Sequence, residues 1–233
     1  LVIASDRMLI PCLEADIIPD LTVSVDGSPL ITQWYDHDLV RESGQKLKIC
    51  LINSIHPSVV SACNKAKAQI FWFHPIFDDY RTVESFTRLQ QLMTKNTLHP
   101  NGVPAVSCGG NSGCCAWVLS FSLLRRSPIA LIGIDLSYPE GTRTDETPYY
   151  STILKAVNND HVIANRGFKT IYHPFFKTKA IADSAFINYA QSWRELAQQS
   201  PVWLDTYNCT QGGILWAPRI TCIPFAEFLK KYK

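Results

Sequence analysis

Short apolar runs along the chain alternate with longer stretches in which apolar residues recur at helical spacing. The candidate strands are residues 1–4, 21–25, 47–52, 70–73, 103–106 and 129–134. Several are almost continuously apolar, as in strands that are buried on both faces. The candidate helices between them are residues 7–15, 57–67, 83–95 and 111–126. This order predicts an α/β, Rossmann-like three-layer sandwich, with a mostly parallel sheet and helices on both faces.

The pattern changes after residue 137. Residues 138–178 are rich in Gly, Pro, Thr, Asn, Tyr and His and show little periodicity, which favours an inserted lid or loop region. Residues 180–199 return to a helical stripe, and 224–232 favour a short terminal helix. We therefore expect a Rossmann-like nucleotide-binding core over 1–137, a lid or insertion over 138–178, and C-terminal helices and a strand over 179–233 that complete the core.

Composition narrows the classes of partner. The 233 residues carry 22 Lys and Arg against 20 Asp and Glu, so the net charge of +2 predicts no nucleic-acid partner. The longest apolar stretch, 116–124, falls short of the ~20 residues of a membrane span, so none is expected. Residues 1–4 lack the basic region of a secretory signal. Eight cysteines without a C-x-x-C pair favour reduced thiols in a cytoplasmic protein.

The most informative segment is a predicted strand, a glycine-rich turn and a helix start at residues 103–113. The turn consists of Gly109, Gly110, Asn111, Ser112 and Gly113. Free backbone N–H groups at a helix N-terminus suit a phosphate, and glycine allows the close approach of an anion. An ordinary tight turn with an N-cap at Asn111 or Ser112 explains the same residues, because the spacing matches neither the dinucleotide nor the P-loop motif.

Two aspartates end apolar strands. Asp26 and Asp135 are expected at the carboxyl ends of parallel strands, where such sheets bind ligands. Asp26 would bind a ribose hydroxyl or a hydrated Mg²⁺, and Asp135 would contact substrate or orient a loop. Capping of the following turn is the alternative role for each.

The predicted lid contains His173, and a later turn contains Asn208 and Thr210. A histidine over a crevice can act as a general base near neutral pH, although most histidines are structural. The polar turn around Asn208 and Thr210 either reaches the same crevice or is a simple loop. No pair of candidate ligands shows the spacing of a structural zinc site.

Together these segments resemble the family that contains the Maf motility accessory factors and the MptE-like 6-hydroxymethylpterin diphosphokinases. The resemblance rests on Ile3–Arg7 and Val25–Pro29 at the start, the 109–113 turn and 131–138 in the middle, and 208–213 near the end. The middle block is also similar to Rossmann-like bacterial sialyltransferases, in which a lid histidine acts as base. Family members begin with a further strand and glycine-rich turn, and this chain starts after that point.

The resemblance implies a transferase that uses a nucleotide-activated donor, either a CMP-sugar or ATP, and a small-molecule or protein acceptor. Its leading form is a nonulosonic-acid glycosyltransferase of Maf type with His173 and Asp135 as catalytic residues. The nucleotide would bind at Asp6, Asp26, the 109–113 turn, Asn208 and Thr210. A diphosphokinase would need Mg²⁺, with Asp26 as a ligand; otherwise no cofactor is expected. A catalytically silent nucleotide-binding module is the third possibility.

Overall fold

The computed structural model describes residues 1–232, which form two compact units. Unit 1 comprises Leu1–Leu124, and unit 2 begins at Arg125. The α/β, Rossmann-like prediction is confirmed, because the strands of unit 1 form a mostly parallel sheet with helices around it. None of the helices within the described residues has the length and apolar character needed to cross a membrane. The predicted division at residues 137 and 178 stays a prediction.

Unit 1 contains a five-stranded sheet in which every neighbouring pair is parallel and the strands follow chain order. Its strands are β1 (Ile3–Ser5), β2 (Leu21–Ser24), β3 (Lys48–Ile52), β4 (Gln69–Pro75) and β5 (Ala105–Val106). In the central strand, Cys50 pairs with Val23 on one side and with Phe71 on the other. The last four residues of β3 are all buried, which explains the unbroken apolar run in the sequence.

Helices follow the strands of unit 1, and all except α2, which the sequence did not predict, lie close to their predicted positions. They are α1 (Leu9–Glu14), α2 (Asp38–Ser43), α3 (Pro57–Lys65), α4 (Phe86–Met93) and α5 (Ser112–Ser122). The side chain of His56 caps α3, and Pro57 occupies its first turn, where a missing N–H costs nothing. Residues 7 and 8, predicted in the first helix, lie instead in a short 3-10 helix over Asp6–Met8.

The last helix of unit 1, α5, returns from β5 to pack against β1 and β2. Every residue from Cys114 to Ser120 is buried. A helix that is apolar on all sides is stable only when it is covered on all sides. The apolar run over residues 116–124, which is too short to span a membrane, therefore belongs largely to a helix of the core.

Unit 2 contains two small sheets. One is parallel, with β10 (Thr206–Asn208) between β6 (Ile129–Leu131) and β11 (Ile220–Cys222). The other is antiparallel, with β9 (Thr178–Ala182) between β7 (Tyr138–Pro139) and β8 (Lys169–His173). The helices are α6 (Tyr150–Ala156), α7 (His161–Arg166), α8 (Ser184–Gln199) and α9 (Phe225–Lys231).

Unit 2 corrects two sequence predictions. Residues 138–178 are more regular than expected, since they contain the strands β7 and β8 and the helices α6 and α7. These two helices have only seven and six residues, too few to show a hydrophobic period in the sequence. Residues 180–182 belong to β9 rather than to the following helix, because Asp183 caps α8 by accepting from the Phe186 N–H. The predicted stripe of α8 is confirmed, as Ala190, Trp193 and Ala197 are all fully buried.

The unit 1 core generates a stability prediction. Leu51 is fully buried within the main apolar cluster, whereas Leu30 is 73% exposed. Leu51→Ala should therefore lower the free energy of unfolding of unit 1 by about 2 to 5 kcal/mol, because it removes buried carbons and leaves a cavity. Leu30→Ala should change it by no more than about 0.5 kcal/mol. Urea unfolding followed by far-UV circular dichroism measures both, and equal losses would contradict this description of the core.

Candidate functional site

A buried carboxylate organises the carboxyl-terminal edge of the unit 1 sheet. Asp6 follows β1 directly and is only 6% exposed. Its Oδ2 accepts hydrogen bonds from the Ser24 hydroxyl at 2.7 Å and from the Ser112 hydroxyl at 3.0 Å. Its Oδ1 accepts from the Arg7 backbone N–H at 2.8 Å. Asp6 thus joins the ends of β1 and β2 to the first residue of α5.

The Ser112 hydroxyl makes a second contact with the sheet. Its Oγ accepts from the Val25 backbone N–H, just beyond β2, at 3.3 Å. Both bonds link residues that are far apart in sequence, so the start of α5 is held against the strand ends by tertiary contacts. The hydroxyl of Ser112 therefore positions the helix, while the backbone N–H of Ser112 lies in the first turn of α5.

The turn that precedes α5 has the conformation that its glycines allow. Gly109 and Gly110 have φ angles of 57° and 81°, in the left-handed region that other residues avoid. Asn111 is the N-cap, and its Oδ1 accepts from the Cys114 N–H at 2.9 Å. The backbone N–H groups of Ser112 and Gly113 have no hydrogen-bond partner among the residues that the structure describes. These two donors, at the positive end of the helix dipole, form an arrangement suited to an anion.

Asp26 lies at the same edge, but its environment differs from that of Asp6. It is exposed, and its Oδ1 accepts from the Ser28 N–H at 2.8 Å, the turn-capping role weighed as its alternative. Burial raises the pKa of Asp6, and its three hydrogen bonds and the nearby Asp26 charge act on it to a smaller extent. A carboxyl in this state is a structural acceptor rather than an exposed ligand.

These residues do not fit the Mg²⁺ site that a diphosphokinase would require. No group of three or more His, Cys, Asp or Glu in residues 1–232 is placed to hold a metal ion. The two oxygens of Asp6 already accept three hydrogen bonds, which leaves Asp26 as the one exposed carboxylate of the pair. We derive no reaction step through a metal.

The other predicted site residues come together in unit 2. The Thr210 hydroxyl accepts from the Ile134 N–H at 3.1 Å, and the Asn208 Oδ1 accepts from the Thr210 N–H at 2.9 Å. The Ile214 N–H bonds to the carbonyl of Asp135 at 2.9 Å. The turn over 208–215 is thereby fixed beside the Asp135 backbone. A Cβ on Gly213 would lie 2.3 Å from that carbonyl oxygen, which explains the glycine.

Asp135 and His173 occupy opposite kinds of environment. Asp135 lies at the surface of unit 2 and is exposed, although the partial burial of its carboxyl raises the pKa of that group. His173, the last residue of β8, is fully buried. Its Nε2 donates to the Leu215 carbonyl at 3.1 Å, its Nδ1 accepts from the Phe176 N–H at 3.2 Å, and burial lowers its pKa. The general-base role of His173 stays a prediction, and it would require Nδ1 to release its present donor.

Two residues that the sequence analysis did not single out complete these networks. Ser24 supplies the shortest hydrogen bond to Asp6. Arg194, on α8, donates to the carbonyls of Ile214 and Trp216 and lies over the Trp216 ring, 4.8 Å from its centroid. Serine in a strand and arginine in a helix carry no local motif, so only the tertiary contacts identify them.

A cleft in unit 2 shares none of its lining residues with either network. This polar cleft of about 390 Å³ is lined by Arg143, Thr144, Asp145, Tyr150, His161 and Asn165. Several of its groups already pair with one another: Arg143 with Asp145, and the Tyr150 hydroxyl with His161 Nδ1 at 2.9 Å. The cleft therefore has fewer free polar groups than its lining suggests.

Comparison with known proteins bears on the fold. No protein-family model and no curated protein matches the chain. The solved structure of a Maf glycosyltransferase from Magnetospirillum magneticum AMB-1 is similar, with a TM-score of 0.63 and 11% sequence identity. The likeness covers 96% of this chain and 29% of that one, so the chain spans less than a third of the length of this neighbour. At this identity the likeness shows a shared fold.

The raised pKa of Asp6 predicts how the stability of the protein depends on pH. Burial raises the pKa of Asp6 in the folded state above the ordinary value of 3.8, which the unfolded state keeps. At pH values between the unfolded-state and folded-state pKa, the folded state therefore binds more protons than the unfolded state. Asp6 therefore makes the stability of the parent fall as pH rises through this window. Asp6→Asn lacks that dependence, so its stability relative to the parent should improve from about pH 4 to about pH 7. Urea unfolding at both pH values tests this, and a constant difference would contradict it.

Proposed function

We propose that this chain is the donor-binding part of a transferase related in fold to glycosyltransferases, and that it binds the phosphate of a nucleotide-activated donor at the 109–113 turn. The observation that carries the proposal is the pair of unpartnered N–H groups at Ser112 and Gly113, held at the strand ends by Asp6. The Maf glycosyltransferase fold supports the same class.

The donor of this proposal is a CMP-linked nonulosonic acid, as the sequence resemblance implies. In the transfer step, an acceptor oxygen bonds to the anomeric carbon while the bond from that carbon to the phosphate oxygen breaks. The electron pair stays on the phosphate, whose new charge the N–H groups of the turn would stabilise. The proton of the acceptor hydroxyl passes to a general base.

Of the two predicted bases, Asp135 has the more suitable environment. Its side chain is exposed, whereas both ring nitrogens of His173 are hydrogen-bonded inside unit 2. Partial burial also raises the pKa of the Asp135 carboxyl above its ordinary value, which makes its carboxylate a stronger base. We therefore assign the base to Asp135 and a packing role to His173.

Phosphate binding by the backbone can be tested at a single position. Ser112→Ala and Ser112→Pro both remove the hydroxyl, but only proline also removes the N–H. Proline suits the first residue of a helix, and the extended Asn111 that precedes it is compatible with proline. Ser112→Pro should bind CMP and CDP about 10- to 100-fold more weakly than Ser112→Ala, since a hydrogen bond to a charged group contributes about 1.5 to 3 kcal/mol. Isothermal titration calorimetry measures the affinities.

Far-UV circular dichroism and thermal melting confirm that the two variants are equally folded before they are compared. Equal nucleotide affinity in two folded variants would rule out phosphate binding by this N–H. Binding of ATP that requires Mg²⁺ would instead favour the diphosphokinase alternative. Tight CMP binding without turnover of any CMP-linked donor would favour the silent module.

The assignment of the base has its own test. Asp135→Asn should lower turnover of a CMP-linked donor by at least about 100-fold while donor affinity stays nearly constant, because a base acts in the transition state. His173→Ala should lower the thermal midpoint, since it removes a fully buried ring, and leave turnover per folded molecule within a few-fold of the parent. Measurements in excess EDTA exclude a contribution from metal. The reverse pattern would transfer the base role to His173.

A further inference from the structure

Helix α4 of unit 1 presents its apolar side to solvent. Four large apolar side chains recur on this side at intervals of three and four residues, the spacing that normally faces a core. They are between 49% and 77% exposed and form what we call the α4 face: Phe86, Leu89, Leu92 and Met93. The residues that α4 buries are polar instead, namely Thr87 and Gln90. The helix is therefore amphipathic with its apolar side outward.

Hydrogen bonds fix α4 in this orientation. The Thr87 hydroxyl oxygen accepts from the Phe77 N–H, before the helix, at 3.0 Å. Thr94, directly after the helix, donates its hydroxyl to the Gln90 carbonyl at 2.9 Å and accepts from the Val103 N–H at 2.9 Å. Rotation that turned the apolar side inward would break these bonds. The exposure of the α4 face is thus a fixed feature of unit 1.

The apolar surface continues beyond the helix. Phe77 packs edge-on against Phe86, with ring centroids 5.4 Å apart, and is itself 47% exposed. Val83, just before the helix, is 88% exposed. Contiguous exposed apolar side chains mark interaction surfaces on proteins. The α4 face therefore has the character of a binding surface.

Single charges stand at the two ends of the α4 face. Glu84 lies two residues before the helix and Lys95 two residues after it, and both are exposed. Neither forms an ion pair with any of residues 1–232. The midpoint between Glu84 and Lys95 coincides with the midpoint between Phe86 and Met93. The two charges and the apolar stripe therefore share one centre along the helix.

We infer that the α4 face is a dimer interface, on which a second copy of this chain packs its own α4 antiparallel about a twofold axis through that centre. The axis places Phe86 of each copy level with Met93 of the other, and methionine sulfur packs favourably against aromatic rings. It also places Glu84 level with Lys95 of the other copy. Charge complementarity thus specifies both the partner and its direction, since a parallel pair would set like charge against like charge.

The apolar and charged contacts of this pair have separable effects. Burial of the α4 face supplies affinity, whereas exposed ion pairs contribute little and mainly set orientation. Arg88, the one charged residue within α4, lies level with Gln91 of the second copy and so opposes no like charge. The pairing involves no nucleotide, so it stands or fails independently of the proposed function.

Sedimentation velocity of the whole chain from about 1 to about 100 µM tests the apolar contact. The parent should change from monomer to dimer over this range. Leu89→Glu should weaken association at least about 30-fold, because Leu89 lies nearest the axis and the variant sets two carboxylates against each other in an apolar contact. Leu30→Glu, at a leucine that is 73% exposed elsewhere in unit 1, should stay within about twofold of the parent. Thermal melting checks that both variants are folded.

Exchange of the two charges tests the antiparallel direction. Glu84→Lys alone and Lys95→Glu alone should each weaken self-association about fivefold at low salt, since each homodimer then contains two like-charge contacts. An equal mixture of the two single variants should recover the parent affinity, because every contact in the mixed dimer joins opposite charges. At about 1 M salt the differences should disappear.

Zero-length cross-linking decides the question in the parent itself, even where a variant fails to fold. A carbodiimide joins a carboxylate to an amine only when the two are in contact, and about 12 Å of helix separates Glu84 from Lys95 within one copy. In an equal mixture of ¹⁴N- and ¹⁵N-labelled parent, mass spectrometry should find Glu84 of one label linked to Lys95 of the other.

Several results would overturn the inference. A parent that stays monomeric at about 100 µM has no such interface. A dimer that tolerates Leu89→Glu forms through another surface. Failure of the mixed charge variants to recover affinity, together with no cross-link between labels, would refute the antiparallel pair. Binding of a monomeric parent to phosphatidylcholine–phosphatidylserine vesicles, lost in Leu89→Glu, would assign the α4 face to a lipid surface instead.

Discussion

The buried carboxylate of Asp6 is the interaction on which the geometry of unit 1 depends. The helix α5 starts more than one hundred residues after Asp6, yet its first residue bonds to that carboxylate at 3.0 Å. The shared acceptor also fixes Ser24 at the end of β2. A buried carboxylate is costly unless it is hydrogen-bonded, so its three donors are a condition of the fold as well as a consequence of it.

This arrangement explains how one short segment serves two purposes. The side chains of the turn are used internally, since Asn111 caps the helix and Ser112 bonds to Asp6 and to Val25. The backbone N–H groups of Ser112 and Gly113 have no hydrogen-bond partner among residues 1–232. Because these side chains hold the helix start in place while its backbone donors stay free, the proposed anion site would need little reorganisation on binding.

The sequence predicted the parts of the fold that have a strong period. Continuous apolar runs predict β3 and β4, and helical periodicity predicts α8. The three-residue strands β10 and β11 and the short helices α6 and α7 were missed because elements of this length are stabilised by their neighbours rather than by their own pattern. For the same reason the sequence of residues 138–178 predicts an irregular segment.

The candidate site was predictable in part. The glycines follow a local motif, and the sequence predicts an N-cap at Asn111 or Ser112, of which the structure shows Asn111. The role of Ser24 and the direction of the Ser112 hydroxyl depend on bonds between residues distant in the chain, which no local pattern encodes. Asp26 and Asp135, both expected at strand ends, follow strands of different sheets in different units, and Asp135 lies four residues beyond the end of β6 because that strand is shorter than the apolar run predicts. His173 was placed over a crevice by its sequence context, whereas the structure buries it.

Amide NMR can detect, residue by residue, whether the helix start at Ser112 and Gly113 binds a nucleotide phosphate as proposed. Titration of the ¹⁵N-labelled protein with CMP and CDP should shift the amide signals of Gly110, Ser112 and Gly113 first and furthest, with cytidine alone producing much smaller shifts. A saturable response confined to other amides, with these three unchanged, would contradict the account.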